Sequence, residues 1–224
     1  MVPPSPAGRL ADQLAFVLEV DGLKSVVRRN YLADGSRREN TAEHSWTLAL
    51  MAIVLAEHAA EPVDVGRVVQ MVVIHDLVEV DAGDTSIYDD AGRATQHVRE
   101  QAAAERIFGL LPAEQGAALR AVWDDFEHGT GPEARFARSV DRLAGFLLND
   151  ASRGLAWREH GVTADRIAQR IAAIGDGSPV LAREAARRLA AAVAAGAVAP
   201  GRGPAAGEAP GAAARPGSAA RPVD

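Results

Sequence analysis

A short segment near the middle of the chain carries the side chains best suited to chemistry. It reads His-Asp-Leu-Val-Glu-Val-Asp-Ala-Gly-Asp over residues 75–84 and follows an apolar run. If residues 65–80 form one buried helix, His75, Asp76 and Glu79 project from the same side of it. An ionised carboxylate in such surroundings is costly unless a cation or hydrogen bonds compensate it. The segment therefore indicates a bound divalent cation, and a self-satisfied His–Asp hydrogen bond is the alternative.

Two residues elsewhere in the sequence favour the cation. His44 lies at the start of a predicted helix, so its imidazole is expected to point into the end of a bundle. The residues that follow it read as core: Trp46, Leu48, Leu50, Met51, Ile53, Val54 and Leu55. Asp141 interrupts the apolar stripe of another predicted helix, where a carboxylate again needs a partner.

The residue types limit the choice of ion. Two imidazoles and two carboxylates suit a borderline transition ion better than the all-oxygen cage that Ca²⁺ prefers. Four protein ligands leave open positions for water only on a five- or six-coordinate ion, which argues against strictly tetrahedral zinc. We therefore expect one divalent transition metal ion, with Mn²⁺ or Co²⁺ favoured and Fe²⁺, Ni²⁺ or Zn²⁺ as alternatives.

Composition excludes several classes of function. The chain has 224 residues, of which 48% are hydrophobic and 24% charged, enough for one domain with a substantial core. A formal net charge of −6 argues against a nucleic-acid or anionic-membrane partner. The absence of cysteine rules out disulfides and thiolate metal ligands. With no apolar stretch long enough to span a bilayer, the sequence predicts a soluble, cytoplasmic protein.

Hydrophobic periodicity close to 3.6 residues predicts an all-α fold, a single helical bundle over residues 7–195. Asn40 and Glu43 have the spacing of a capping box. The Ala-, Gly- and Pro-rich segment 196–224 is predicted to be a disordered tail, and residues 28–38 a polar loop. The helices are predicted at about 10–20, 23–29, 41–58, 65–80, 93–110, 113–126, 132–149, 164–174 and 179–195.

The order and spacing of His44, His75-Asp76 and Asp141 resemble the H…HD…D signature of the HD-domain metal-dependent phosphohydrolases. Residues 39–45 and 75–84 are similar to the 5′-deoxynucleotidase branch of that superfamily, and the similarity spans about residues 10–150. The resemblance implies an HD-type bundle that forms a homodimer. It also implies the metal ligands: His44, His75, Asp76 and Asp141.

The resemblance also assigns catalytic roles to two acidic residues. Glu79 matches the family's catalytic acid, and Asp84 matches the acidic residue that helps to position water or substrate. Burial of Glu79 among apolar neighbours would raise its pKa, as a proton donor to the departing 5′ oxygen requires.

A phosphate ester needs a cationic docking group beside so many acids. Arg29 lies fifteen residues before His44, as does the phosphate-contacting arginine of the family, and a one-residue shift would give the role to Arg28. Asn30 stands where deoxy-specific members have a tryptophan against the sugar. Asn30 is thus a candidate substrate contact that leaves discrimination against a ribose open.

These residues together predict a metal-dependent phosphomonoesterase that hydrolyses (deoxy)nucleoside 5′-monophosphates. A phosphodiesterase or nucleotide pyrophosphohydrolase acting through the same metal is the competing enzymatic interpretation. A non-catalytic nucleotide-sensing module is the alternative from another class. Glu79 and Asp84 argue against that module, because structural metal binding requires neither.

Overall fold

The computed structural model describes residues 6–85 and 90–201, and its architecture is an all-α bundle with one small hairpin. The predicted all-α fold is confirmed. In chain order the elements are α1 (Pro6–Val20), β1 (Val27–Tyr31), β2 (Arg38–Asn40), α2 (Thr41–Leu55), α3 (Val65–Ile74), α4 (Glu79–Ala82), α5 (Asp90–Phe108), α6 (Ala113–His128), α7 (Pro132–Ala151), α8 (Leu155–Glu159), α9 (Ala164–Ile174) and α10 (Pro179–Ala194).

Helix α7 forms the centre of the bundle. It packs against α2, α3, α6, α9 and α10 and buries an almost continuous apolar face. Helix α3 lies between α2, α6 and α7. The largest fully buried apolar side chains come from these helices and their neighbours: Trp123, Phe136, Leu48, Met71, Ile107, Ile167 and Ile174. None of the described helices combines the length and apolar character needed to cross a membrane.

Residues 27–40 form an antiparallel hairpin, in which Val27 lies opposite Asn40 and Tyr31 opposite Arg38. The predicted polar loop over residues 28–38 is therefore correct for residues 32–37, which connect the two strands, and wrong for the strand residues on either side. The hairpin packs on α7 and α8, and polar bonds hold it there. Arg38 donates to the carbonyl of Arg29 at 2.7 Å and pairs with Glu159 of α8 at 2.7 Å. Because these strands are polar, their sequence lacks the apolar alternation that identifies a strand.

The helix predicted at 23–29 is also wrong, because the chain there forms a 3₁₀ turn over Asp21–Ser25 and then enters β1. Helix α8 was not predicted, and at five residues it is too short to show periodicity. Helix α2 continues into a 3₁₀ turn, Ala56–His58, so the predicted end at residue 58 holds only for the combined segment.

The predicted core character of α2 is wrong on one side of the helix. Leu48 is fully buried against α3 and α7, whereas Trp46 is 68% exposed and three more apolar side chains on that outer side are also exposed: Leu50, Ile53 and Val54. The outer residues recur at helical spacing and form a stripe without a partner in the part of the chain that the structure describes. A contiguous stripe of four exposed, large apolar side chains is typical of a contact surface.

The packed chain extends slightly beyond the predicted domain end at residue 195. Val198 is buried, and the carbonyl of Ala199 accepts a hydrogen bond from the backbone N–H of Ala164 at 3.0 Å. The remainder of the predicted tail, residues 202–224, lies outside the described residues.

Candidate metal centre and active site

The start of α2 fixes the position of His44. The side chain of Asn40 accepts from the Glu43 N–H at 2.9 Å, and the Glu43 carboxylate accepts from the Asn40 N–H at 3.2 Å. This reciprocal capping box satisfies two N–H groups and sets the first turn of the helix. His44 follows directly and is completely buried.

The segment that carries His75 and Asp76 is not one helix with α4, contrary to the prediction for residues 65–80. The His75 carbonyl accepts a hydrogen bond from the indole N–H of Trp123 at 3.0 Å. The backbone N–H of Glu79 donates to the backbone carbonyl of Asp76, three residues earlier, at 3.0 Å. The chain thus turns tightly between α3 and α4, and the carbonyl that Glu79 would bond in an α-helix accepts from Trp123 of α6. His75 and Glu79 are therefore brought together by a turn.

Four side chains predicted as ligands meet in one place. His44 Nε2 lies 3.0 Å from Asp141 Oδ1, and His75 Nε2 lies 3.0 Å from Asp76 Oδ1. The second oxygen of Asp76 lies 3.9 Å from His44 Nε2. One ligand atom each from His44, His75 and Asp141 falls within 4.8 Å of the others.

The separations of 3.0, 3.0 and 3.9 Å fit ligand atoms around a transition metal ion, and the 4.8 Å span of the three-residue group is somewhat wider. Ligand atoms about 2.1 Å from an ion are roughly 3 Å apart at right angles and about 4.2 Å apart across it. His75 Nδ1 lies 2.8 Å from the Val72 carbonyl, so Nδ1 carries the proton and the Nε2 lone pair is left for the ion. The residues present therefore suit a divalent cation, as the donor types predicted.

In the described structure the charge of the acids is balanced by Arg28. Its guanidinium donates to Asp76 Oδ2 at 2.9 Å, and the same nitrogen, Nη1, lies 3.8 Å from Asp84 and 3.9 Å from Glu79. Burial alone would lower the pKa of Arg28, but Asp76, Asp84 and Glu79 raise it above its usual value. The side chain is therefore a permanent cation inside an acidic cluster.

Glu79 is buried and sits between a hydroxyl and the acids. Burial raises its pKa to about 9, and the nearby Asp76 carboxylate adds to this effect. Thr41 donates a hydrogen bond to Glu79 Oε2 at 2.8 Å. Glu79 is thus protonated at neutral pH in the metal-free protein, as a proton donor must be.

Asp84 follows the end of α4. Gly83 adopts a positive φ of 70°, which a glycine tolerates without strain and which ends the helix. Burial raises the pKa of the Asp84 carboxyl, Arg28 opposes this, and Asp76 reinforces it. Asp84 thereby belongs to the same cluster as Glu79, since one carboxylate oxygen of each lies within 4 Å of Arg28 Nη1, at 3.8 Å for Asp84 and 3.9 Å for Glu79.

A pocket of about 340 Å³ opens beside these groups and includes all three predicted substrate contacts, Arg28, Arg29 and Asn30, in its lining. Of the two arginines, Arg28 makes the close contacts with the acids. Asn30 accepts a hydrogen bond from the Asn149 amide at 2.9 Å. The far wall is formed by α7, α8 and α9, with apolar residues that include Phe146, Trp157, Ile167 and Ile171.

A family model described as "HD domain" matches residues 20–180. This range is well over half of the chain and contains every residue of the cluster. The chain belongs to the HD-domain family. The motifs in residues 39–45 and 75–84 indicate a resemblance to the 5′-deoxynucleotidase branch, and the curated relatives confirm it.

The curated relatives of this HD-domain chain include 5′-deoxynucleotidases. It is 28% identical over 130 residues to the human 5′-deoxynucleotidase HDDC2, an alignment that covers 58% of this chain and 62% of the human protein. It is 26% identical over 134 residues to the Saccharomyces cerevisiae 5′-deoxynucleotidase YBR242W, covering 58% of this chain and 55% of the yeast protein. The chain thus spans less than two thirds of the length of these relatives.

A solved structure is more similar. A protein titled a predicted metal-dependent phosphohydrolase, from Magnetospirillum magnetotacticum MS-1, superposes with a TM-score of 0.84 at 46% identity, covering 89% of this chain and 100% of that one. The PH0347 protein of Pyrococcus horikoshii OT3 superposes with a TM-score of 0.56 at 21% identity, which supports the fold alone.

The HD-domain motif left three site residues without a predicted role. Glu39 is buried beside His44 and Arg28, Thr41 bonds Glu79, and Trp123 bonds the His75 carbonyl. Glu39 lies within residues 39–45, the segment that resembles the family, and it is a charged residue only five positions before His44. This position in the sequence could have indicated a role at the site. Trp123 is far away in sequence, and only the packing of α6 on α3 brings it to the site.

Proposed function

We propose that this HD-domain protein is a metal-dependent phosphomonoesterase that removes phosphate from nucleoside or deoxynucleoside 5′-monophosphates. The observation that carries the proposal is the convergence of two histidines and two aspartates beside the buried Arg28 and Glu79. The names of the relatives, metal-dependent phosphohydrolase and 5′-deoxynucleotidase, support the same reaction class.

We assign the ion to His44, His75, Asp76 and Asp141, and we favour Mn²⁺ or Co²⁺. A bound divalent ion in this site supplies a lowered pKa for water and neutralises charge on the phosphate. The protein's contribution is to hold the ligand atoms at fixed separations. The Val72 carbonyl fixes the ring of His75, and Asp141 Oδ1 lies 3.0 Å from His44 Nε2, so these two proposed ligand atoms are neighbours.

Arg28 is proposed to bind the phosphate. Its planar guanidinium can donate to two phosphate oxygens at once, and burial makes each such bond stronger than at the surface. Arg28 reaches the cluster from β1, so a phosphate bound to it lies next to the ligand set. Arg29 lines the same pocket and supplies further positive charge at its edge.

Glu79 is proposed as the general acid. Thr41 occupies Oε2, so Oε1 is left as the oxygen that carries the transferable proton. Transfer of that proton to the departing 5′ oxygen avoids release of an alkoxide. Asp84, whose carboxylate also lies close to Arg28, is proposed to position the attacking water.

The nucleoside half is proposed to occupy the remainder of the pocket. The apolar side chains in the wall formed by α7, α8 and α9 suit a base. The amides of Asn30 on β1 and Asn149 on α7 are the polar groups proposed to lie near the sugar. An asparagine amide can hydrogen bond a sugar hydroxyl. We therefore expect ribonucleotides and deoxyribonucleotides both to be accepted.

A phosphate-release screen tests the proposal. Chelated protein is reloaded separately with Mn²⁺, Co²⁺ and Mg²⁺ and incubated with ribo- and deoxynucleoside 5′-monophosphates. We expect orthophosphate with Mn²⁺ or Co²⁺ and little with Mg²⁺. The Asp141→Asn variant, purified in parallel, controls for contaminating phosphatases.

The products also separate the alternatives. Release of a diphosphorylated fragment from nucleoside triphosphates, without orthophosphate from monophosphates, would replace the proposal with a pyrophosphohydrolase. Cleavage of phosphodiesters alone would make it a phosphodiesterase. Stoichiometric metal with no hydrolysis of any of these substrates would support a non-catalytic nucleotide-sensing module.

We also propose that the protein is a homodimer. Two exposed apolar stripes with helical spacing support this: Leu10, Leu14, Val17 and Leu18 on α1, and Trp46, Leu50, Ile53 and Val54 on α2. Covering both stripes with a second copy would remove a large apolar area from water.

Sedimentation equilibrium tests the dimer. The double substitution Trp46→Glu with Ile53→Glu places two charges in the α2 stripe and is expected to give a monomer. Val98→Glu is the matched control, because Val98 is equally exposed but lies on α5, outside both stripes. A wild-type monomer at micromolar concentration would refute the dimer.

A further inference from the structure

Three buried nitrogen and oxygen atoms lack hydrogen-bond partners at one point of the site. Among the residues that the structure describes, they are Arg28 Nε, Glu39 Oε2 and His44 Nδ1. The Glu39 oxygen lies 3.6 Å from Arg28 Nε and 3.5 Å from His44 Nδ1. The carboxylate is therefore placed between two N–H donors, at distances just beyond good hydrogen bonds.

The tautomer of His44 gives this placement a chemical meaning. His44 Nε2 faces Asp141 and Asp76, so Nε2 is the nitrogen that would bind the ion. The proton of the neutral ring then lies on Nδ1, and Nδ1 faces Glu39 Oε2. A carboxylate in this position fixes the orientation of a ligand imidazole and makes it a better donor to the ion.

The backbone explains why Glu39 can hold this position. Glu39 is the middle residue of β2, and its two neighbours on that strand are only partly buried while Glu39 is 2% exposed. Alternation along the strand points its side chain inward. The next residue, Asn40, caps α2, so the strand that carries Glu39 runs directly into the helix that carries His44.

We propose that Glu39 is a positioning residue whose one carboxylate oxygen orients both His44 and Arg28, and so links metal binding to phosphate binding. The metal half follows from the donor geometry. The phosphate half rests on the proposed function, because it assumes that Arg28 binds the substrate phosphate. Burial of the Glu39 carboxylate has a desolvation cost, and the neighbouring Arg28 guanidinium offsets part of it.

Glu39→Gln is the main test, since it keeps the shape and removes the charge. The amide introduced by this substitution either presents its NH₂ group to Arg28 or His44, or accepts a hydrogen bond from only one of them. We expect Mn²⁺ affinity of the chelated protein, measured by calorimetry, to fall about 10- to 100-fold, as for other partners of ligand histidines. The His44 Nδ1–H resonance of Mg²⁺- or Zn²⁺-loaded protein should also move upfield in ¹H–¹⁵N spectra.

The phosphate half is tested on the chelated protein with inorganic phosphate as the probe. We expect Glu39→Gln to weaken phosphate binding several-fold, and in the loaded enzyme to raise KM as well as lower kcat. Ser178→Ala is the matched control, because Ser178 is a fully buried side chain that bonds only the start of α10 and the His58 carbonyl in the described part of the chain. It should lower stability and leave Mn²⁺ and phosphate affinities unchanged.

The outcomes are separable. Wild-type Mn²⁺ affinity together with an unmoved His44 resonance in Glu39→Gln would overturn the inference. Weaker Mn²⁺ binding with unchanged phosphate binding would overturn the link to Arg28 alone. If wild-type protein hydrolyses no nucleotide, the proposed function fails while the Mn²⁺ measurement still decides the role of Glu39. If Glu39→Gln does not fold, Glu39→Asp, which keeps the charge and withdraws the oxygen, should bind Mn²⁺ about tenfold more weakly, and unchanged affinity would overturn the inference.

Discussion

Helix α7 carries two polar side chains, the buried Ser139 and the partly exposed Asp141, that behave in opposite ways. Ser139 and Asp141 are two residues apart and therefore point roughly 200° apart around the helix. Ser139 faces α9 and α10, where its hydroxyl lies 2.9 Å from both the Ile174 and Arg135 carbonyls and accepts from the Gly177 N–H at 3.1 Å. Asp141 faces the acidic cluster, where buried atoms remain without partners.

The difference distinguishes a structural polar group from a functional one. Around Ser139 every bonding capacity is used within the protein, so the contact contributes to stability and requires no ligand. Around Asp141 several acids belong to one cluster, and among the described residues the buried Arg28 and the neighbouring His75 offset their charge. Such an arrangement lowers stability unless a cation is bound, as is typical of functional sites.

The largest expected effect is that of Asp76→Asn. This nearly isosteric change removes one ligand charge and the main anion bound to Arg28. We expect near-complete loss of orthophosphate release and no retained Mn²⁺ after dialysis, while the circular dichroism spectrum stays helical. Retained activity with retained metal would show that Asp76 is not a ligand.

Glu79→Gln should separate metal binding from proton transfer. An amide cannot donate the proton, so we expect kcat to fall about 10²- to 10⁴-fold. Because Glu79 is not in the proposed ligand set, Mn²⁺ content should remain at the wild-type level, in contrast to Asp76→Asn. Turnover of Glu79→Gln at the wild-type rate would refute the general-acid role.

The stability of the chelated protein should fall as pH rises. Burial lowers the pKa of His75, but Asp76 overrides it and raises the value to about 9, so this contribution is complete below about 6.5 and lost by about 9. The raised pKa of Glu79, also about 9, acts in the same direction, because its carboxyl must stay protonated in the folded state. We expect Tm to drop by several degrees between pH 6 and 9.5, at roughly 2–4 °C per kcal/mol.

Substitutions at Glu79 and at Ser139 should differ in this pH response. Glu79→Gln is expected to reduce the slope of Tm against pH, and bound Mn²⁺ to flatten it, whereas Ser139→Ala should leave it unchanged. A chelated wild-type protein with the same Tm at both pH values would contradict the expectation.

The smallest effect on the site is expected for Ser139→Ala. Loss of the hydroxyl leaves the buried Gly177 N–H without its acceptor, at a cost of about 1–3 kcal/mol. Urea unfolding should show this loss, while Mn²⁺ affinity and kcat stay at wild-type values. A large loss of Mn²⁺ affinity in Ser139→Ala would mean that the two faces of α7 are coupled.

The sequence was sufficient to predict elements whose ends carry local signals. Helix α9 begins and ends at the predicted residues, and the capping box at the start of α2 is present as predicted. Both depend on contacts between residues close in sequence, on apolar spacing in the first case and on side-chain bonds to backbone N–H groups in the second.

The features that the sequence did not predict depend on distant partners. The carbonyl at the His75 turn accepts from the indole of Trp123, and the hairpin packs on α7 and α8. The exposed side of α2 has the same residue types as its buried side, so only packing distinguishes them. For the site, the residue types indicated an ion, but the contacts of Glu39 arise from the fold of the hairpin.

The hairpin separates two tasks in the molecule. The proposed ligands are carried by helices and by the turn between α3 and α4, whereas Arg28, Arg29 and Asn30 lie on β1. Arg29 and Asn30 are therefore the positions of β1 proposed to alter which phosphate ester is accepted, whereas Arg28 is bonded to Asp76 and belongs to both tasks. To redirect the proposed activity to another substrate, these two positions are the first to randomise.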